Sequence, residues 1–328
     1  MGRVLCTVSL PAPPEILTLG LEDGRRNPGL TTFDNQGIMN LSKSLPTNLS
    51  RQELFLILLY FLGYSRIRNL FLFFHRKQVG RFLTFHDVPP STSRQFEANL
   101  RFLRRRTNVI SLDDFFRGQL LPKKINTVIT FDDGYKSWVT SAVPILRKLK
   151  LPATFFISSD FVGKPVEHER QFGKSRLGVG LRTSEMTGCL EREDVRRIAE
   201  YGFTVGGHTK SHSRLSDLQS EARVREEIVM DKKSLEQITA HEVKYFAYPY
   251  GAIDNSKVNL AKILREAGYR GAVTTISDFN TSSTDPYKLH RELTRASMSS
   301  WVFRAKVYGN TDALRHLWRF SIKIRGRD

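Results

Sequence analysis

Two adjacent carboxylates, Asp132 and Asp133, end an apolar stretch and are followed at once by a glycine, in Thr130-Phe131-Asp132-Asp133-Gly134-Tyr135. Neighbouring carboxylates can divide labour: one coordinates a cation while the other stays free as a general base, its pKa set by the nearby positive charge. The plainer alternative is a turn whose Asp side chains cap a helix beginning at Tyr135. Further on, Gly206-Gly207-His208-Thr209-Lys210-Ser211-His212 sets two imidazoles at an H-x-x-x-H spacing. On a helical turn that spacing puts both rings on one side, a common metal-ligand arrangement, with the glycines leaving room for close approach; two incidental, solvated histidines are the alternative. Two imidazoles and one carboxylate make three ligands and leave a position for water, as catalytic zinc requires. A third cluster, Phe246-Ala247-Tyr248-Pro249-Tyr250-Gly251, is an aromatic strand end broken by a proline. Its backbone could line a pocket, or it is a plain strand terminus with aromatic core residues.

These clusters need elements to hold them. Short apolar runs predict strands at Phe82 to His86, Thr127 to Asp132, Ala153 to Ser158, Phe203 to Gly207, Tyr245 to Tyr248, Gly271 to Thr275 and Tyr287 to His290. Apolar residues three and four apart predict helices at Ser93 to Arg106, Lys136 to Lys150, Arg192 to Tyr201, Ser220 to Ile238 and Ser256 to Ala267. Strands alternating with helices imply a parallel sheet covered by helices, and seven such repeats suit an α/β fold closed as a barrel. In a barrel, chemistry belongs at the strand C-terminal ends, where all three clusters fall. The polar, glycine-bearing segment from Phe161 to Met186 reads as a loop inserted over that face.

Around this core the chain reads as a flexible leader over 1–50, an apolar and basic helix over 51–75, the barrel over 81–295 and a basic C-terminal extension over 296–328. The run Leu54 to Leu62 is too short to span a bilayer, and Arg66 and Arg68 separate it from the next apolar residues. It reads either as an interfacial helix on an anionic membrane surface or as a helix packed on the barrel. No cleavable signal peptide is evident, so the expected location is cytoplasmic or peripherally membrane-associated. With 51 Lys and Arg against 33 Asp and Glu among 328 residues, the net charge of +18 favours anionic partners. No nucleic-acid motif accompanies it, and specific nucleic-acid binding is not expected. Cys6 and Cys189 stand far apart, without metal spacing or a disulfide framework.

Taken in order, Thr-Phe-Asp-Asp-Gly-Tyr, His-Thr-x-Ser-His with Leu215-Ser216 after it, and Phe-Ala-Tyr-Pro-Tyr-Gly make the chain resemble the polysaccharide deacetylase family, also called NodB-homology or carbohydrate esterase family 4. The likeness covers roughly Arg81 to Arg295, and Leu83-Thr84-Phe85-His86 resembles the strand that opens many members. It implies a distorted (β/α)7 barrel with Zn²⁺ or another divalent ion between Asp133, His208 and His212. Asp132 would be the base, the backbone N–H of Tyr250 would stabilise the oxyanion, and an N-acetylated glycan would be the substrate. Tyr248, Pro249 and His86 would contact that substrate. An O-acetyl esterase, or an inactive glycan-binding domain, are the alternatives. Two departures bear on mechanism. Where many members have Arg-Pro-Pro, the arginine orienting the catalytic carboxylate, this chain has Ala247, Tyr248 and Pro249, so another group must orient Asp132. Where the family's last motif often supplies a general-acid histidine after a leucine and one spacer, Leu289 directly precedes His290. His290 and His86 are thus rivals for the acid.

Overall fold

A computed structural model describes residues 50–64, 67, 69–70, 78–165, 188–218, 220–251 and 258–312. The predicted leader up to residue 49, most of the inserted loop and the last sixteen residues lie outside them. Within the described residues, eight strands form one parallel sheet: β1 Val79–Phe85, β2 Asn108–Val109, β3 Ile125–Asp133, β4 Thr154–Ile157, β5 Thr204–Gly207, β6 Tyr245–Ala247, β7 Gly271–Val273 and β8 Glu292–Leu293. Their order is β7-β6-β5-β4-β3-β1-β8, with β2 on β3. The last predicted strand differs most. Leu289 pairs with Val273 of β7, and the chain then shifts so that β8 itself pairs with β1. One short segment therefore joins both edges and curls the sheet into the expected α/β barrel, in which seven strands ring the axis and β2 is an outlier.

Strand alternation sorts side chains into two cores, because successive residues point to opposite faces. Phe82, Val128, Phe156, Tyr245, Ala247 and Val273 form the inner one. Leu83, Ile129, Phe131, Phe155, Phe246 and Tyr248 form the outer one, beneath the helices. Helix α2, Ser93–Arg106, after α1, Arg51–Phe61, shows the matching pattern, burying Phe96, Asn99, Leu100 and Leu103 on one stripe. An unpredicted helix, α3, Leu112–Phe116, joins the inner core, with Phe115 edge-on to Phe82 and Phe116 stacked on Tyr245. Glycine at 80 and 271 makes this approach feasible: an added Cβ would lie 2.9 Å and 2.3 Å from those two rings. The remaining helices are α4 Val143–Leu149, α5 Arg192–Glu200, α6 Glu221–Thr239, α7 Leu260–Glu266 and α8 Ser300–Val307.

Residues 296–312 are built into the fold instead of forming an extension. Helix α8 buries Val302, Phe303, Ala305 and Val307, and α1 packs on it through Tyr60 stacked on Tyr308 and Phe61 against Trp301. That favours the packed-helix reading of α1, although Leu54, Leu58 and Leu62 remain exposed. No described helix is long and apolar enough to cross a membrane. The C-terminal segment is also tied down by Arg81, whose fully buried guanidinium reaches Asp312 at 3.0 Å, Glu292 at 2.7 Å and the Lys306 carbonyl at 2.8 Å. Removing one member of such a group leaves buried charge without its counterion. Arg81→Met should lower unfolding free energy by about 3–5 kcal/mol, read by chemical denaturation.

Candidate metal centre and active site

Parallel pairing aligns the strand ends: Asp133 stands opposite Ile157, Ile157 opposite Gly207, and Gly207 opposite Phe246. The three sequence clusters thus emerge side by side at one mouth. Asp132 still obeys the strand alternation and points inward with Thr130. Asp133 breaks it with a φ of 91°, and Gly134 continues the turn at 117°. This kink sends the second carboxylate toward the neighbouring strand ends. Asp133 Oδ1 lies 3.1 Å from His212 Nε2 and 3.3 Å from His208 Nε2.

The two histidines lie in a loop after β5, not on the helical turn their spacing suggested. Thr209 and His212 both adopt left-handed backbone, at φ 60° and 56°, and this reversal brings the rings to 4.7 Å between centroids. Left-handed residues other than glycine carry strain and persist where surroundings over-determine them. His208 Nδ1 lies 2.7 Å from the Ala247 carbonyl, which can only accept, so Nδ1 carries a proton and Nε2 is left to face Asp133.

A lone pair facing a carboxylate oxygen at this range is repulsive unless a proton or a cation lies between them. The three donor atoms lie within 4.8 Å of one another and all three residues are buried. Their two short edges match the roughly 3.3 Å edge of a tetrahedron with zinc-ligand bonds of about 2.0–2.1 Å. Imidazole and carboxylate are also the donors zinc takes in catalytic sites, so these residues fit a divalent cation. Burial works to push the Asp133 carboxyl up, but hydrogen bonding to His208 and His212 outweighs it and holds the carboxyl well below its usual range.

Asp132 has a different partner, which the sequence reading did not assign. Arg291 Nη1 and Nη2 donate to its two oxygens at 2.6 and 2.7 Å, a bidentate fork. The guanidinium also donates to the Thr274 carbonyl at 2.8 Å and to the Thr130 and Thr84 hydroxyls at 3.1 and 3.2 Å. Ala247, where the family pattern has arginine, lies in the same inner core; the orienting guanidinium comes from the final strand segment instead. Burial raises the Asp132 carboxyl, yet the Arg291 and His208 charges prevail and keep it below its ordinary value.

The third cluster divides. Tyr250 turns left-handed at φ 61°, and its ring stands 4.9 Å from His212, with the Arg214 guanidinium 4.3 Å from the Tyr250 ring centre. Gly251 follows at φ 63°, where a Cβ would lie 1.8 Å from Thr275 Oγ1, so only glycine fits. Tyr248 and Pro249, expected to meet substrate, are buried. Tyr248 shares the strand parity of Phe246, so its ring enters the outer core and its hydroxyl donates to the Tyr287 carbonyl at 2.9 Å. His290 is also displaced: with Arg291 turned inward, its ring lies instead 3.3 Å from the Phe279 carbonyl. His86 directly follows the end of β1, the strand that pairs with β3 beside the carboxylates. Its backbone is held by Trp138, whose Nε1 donates to the His86 carbonyl at 2.7 Å.

A curled parallel sheet with an Asp-His-His group and a second, arginine-held carboxylate at the ends of its strands defines a barrel of the deacetylase type. Comparison with known proteins agrees. Residues 121–272 match the family profile described as polysaccharide deacetylase. The poly-β-1,6-N-acetyl-D-glucosamine N-deacetylase of Staphylococcus aureus (strain NCTC 8325 / PS 47) is 26% identical over 276 residues, covering 80% of this chain and 87% of that one. Among solved structures, IcaB from Ammonifex degensii superposes with a TM-score of 0.57 at 25% identity, over 71% of this chain and 98% of its own. The Streptococcus pyogenes deacetylase PplD shares the fold, with a TM-score of 0.55 at 18% identity over 70% and 99%. Residues 121–272 thus match the polysaccharide deacetylase family, and the chain around them is similar to such proteins in sequence and in fold.

Proposed function

We propose that this protein is a divalent-metal-dependent N-deacetylase that releases acetate from N-acetylated amino sugars of a glycan. The observation that carries the reading is the pair of carboxylates with separated duties: Asp133 against two imidazoles, Asp132 beside them and locked by Arg291. A cation held by Asp133, His208 and His212 supplies a Lewis acid for the acetamide carbonyl and a water acidified toward neutral pH. Asp132, kept ionised, takes the proton of the attacking water. The backbone N–H of Tyr250 donates to the carbonyl oxygen as it becomes negative. His86 hands a proton to the departing amine, leaving acetate and a free amino sugar. The likeness to a poly-β-1,6-N-acetyl-D-glucosamine deacetylase supports a polymer of N-acetylglucosamine as substrate.

Metal analysis of the purified protein, with acetate release measured on N-acetylglucosamine oligomers, peptidoglycan fragments and lipid-linked sugars, tests this reading. A bound divalent ion and acetate release abolished by chelation are expected. Metal-loaded protein that releases no acetate from any acetylated sugar would leave a glycan-binding role, and release confined to O-acetyl sugars would make it an esterase. The two candidate acids separate in the same assay. His86→Ala should cut kcat by about 10²-fold, whereas His290→Ala should stay within about threefold of wild type. The reverse ranking would return the acid role to His290.

A further inference from the structure

Helix α6 buries Val224, Ile228, Leu235 and Ile238 along one stripe, and the same stripe carries two carboxylates, Glu227 and Asp231. A buried carboxylate persists where its oxygens are satisfied. Asp231 Oδ2 accepts the backbone N–H of His208 at 2.7 Å, and Oδ1 accepts that of Ser159 at 2.8 Å. One turn earlier, Glu227 Oε2 accepts the Ser211 N–H at 2.9 Å, Oε1 accepts the Ser211 hydroxyl at 2.8 Å, and the Glu227 carbonyl accepts the Lys210 N–H at 2.9 Å. One helix therefore grips the histidine loop at His208, Lys210 and Ser211.

The grip extends to the loop after β4. Ser159 begins the turn that ends in Phe161, whose ring stacks on His212 at 5.9 Å. Between the two loops the Ser158 hydroxyl donates to the His208 carbonyl at 2.9 Å, and the Asp160 N–H donates to the Lys210 carbonyl at 2.9 Å. Gly207 admits this packing: a Cβ there would lie 2.9 Å from Asp231 Oδ2 and 2.3 Å from the Tyr269 hydroxyl. The loop itself contains two left-handed residues, Thr209 and His212, which need such outside restraint.

We propose that Asp231 and Glu227 are positioning residues that pre-set the His208–His212 loop for its divalent cation, an inference that rests on the metal reading above. The two carboxylates differ in what they tolerate. Both oxygens of Asp231 face N–H groups that can only donate, so an asparagine of the same size must aim its own NH2 at one of them. Glu227 faces one N–H and one hydroxyl, and a hydroxyl accepts as readily as it donates, so glutamine fits.

Titration of the full-length protein with Co²⁺, by chelator competition and visible absorption, reads this without turnover. Asp231→Asn should weaken Co²⁺ binding about 10- to 100-fold and alter the absorption spectrum, as loss of an outer hydrogen-bond partner does. Glu227→Gln should bind within about threefold of wild type, and Glu227→Ala should bind about tenfold more weakly. Leu100→Ala, which loosens the outer core at α2, should lower thermal stability and leave affinity and spectrum unchanged. Wild-type affinity and spectrum in Asp231→Asn would overturn the proposal, as would an equal loss in Leu100→Ala. If Asp231→Asn does not fold, equal affinities of Glu227→Ala and Glu227→Gln would overturn it. Failure of the metal reading looks different: wild-type protein would bind no Co²⁺, or His208→Ala would bind it as tightly as wild type.

Discussion

Asp132→Asn should retain its divalent ion and lose about 10²- to 10⁴-fold in kcat, the range a positioned general base contributes. Asparagine occupies the same volume and cannot take a proton at neutral pH. A base acts only as the reaction proceeds, so kcat and kcat/KM should fall together while KM stays near its wild-type value. The substitution also leaves Arg291, fully buried, facing a neutral amide that accepts through only one atom. Some stability should be lost with activity, and metal content must be measured on the folded fraction. Acetate release within tenfold of wild type would remove Asp132 from the base role. Loss of metal along with activity would instead place Asp132 among the ligands.

Arg291→Met should be the most damaging single change to this site. The guanidinium gives both Asp132 oxygens a charged donor, and removing it strands a carboxylate that is 3% exposed. Breaking a buried pair from one side costs about 3–5 kcal/mol, which denaturant unfolding would show. The pH dependence gives a signature that plain destabilisation does not. In the wild type the folded pKa of Asp132 lies below its ordinary value, so the group adds stability above the unfolded pKa and loses it as pH falls through the folded one. Without Arg291 the burial contribution dominates and the folded pKa rises above the unfolded one. Stability should then fall as pH rises through that value, and the acidic limb of the kcat/KM profile should move to higher pH. Arg291→Lys should fall between, because an ammonium keeps the charge and cannot form the fork. An Arg291→Met enzyme with an unmoved acidic limb would separate the arginine from the base. Combining Arg291→Met with Asp132→Asn should restore part of the lost stability, since neither charge is then left alone.

Period-two and period-3.6 patterns are local properties, and they located the parallel strands, the helix Ser93–Arg106 to the residue, and the three clusters at strand ends. The identities of Asp132, Asp133, His208 and His212 carried the chemistry because carboxylate and imidazole donors are legible in any conformation. Tyr248, which the family resemblance set against substrate, instead follows the strand parity of Phe246 onto the outer face. Short helices such as Leu112–Phe116 escaped detection because five residues span little more than one period, and only the space left by Gly80 and Gly271 makes them useful.

Residue identity and local pattern are enough to say which side chains can bind a cation, which can take a proton, and that alternating strands and helices gather them at one mouth. Which residue holds Asp132 in place is a matter of the folded arrangement. That arginine lies 159 positions away, and it reaches the carboxylate because the final segment shifts from β7 to β1 and draws the sheet round. The same holds for the left-handed turns at Asp133 and His212 and for the grip of α6 on the histidine loop. Their cost is offset by contacts between segments far apart in the chain, and no local propensity records such contacts.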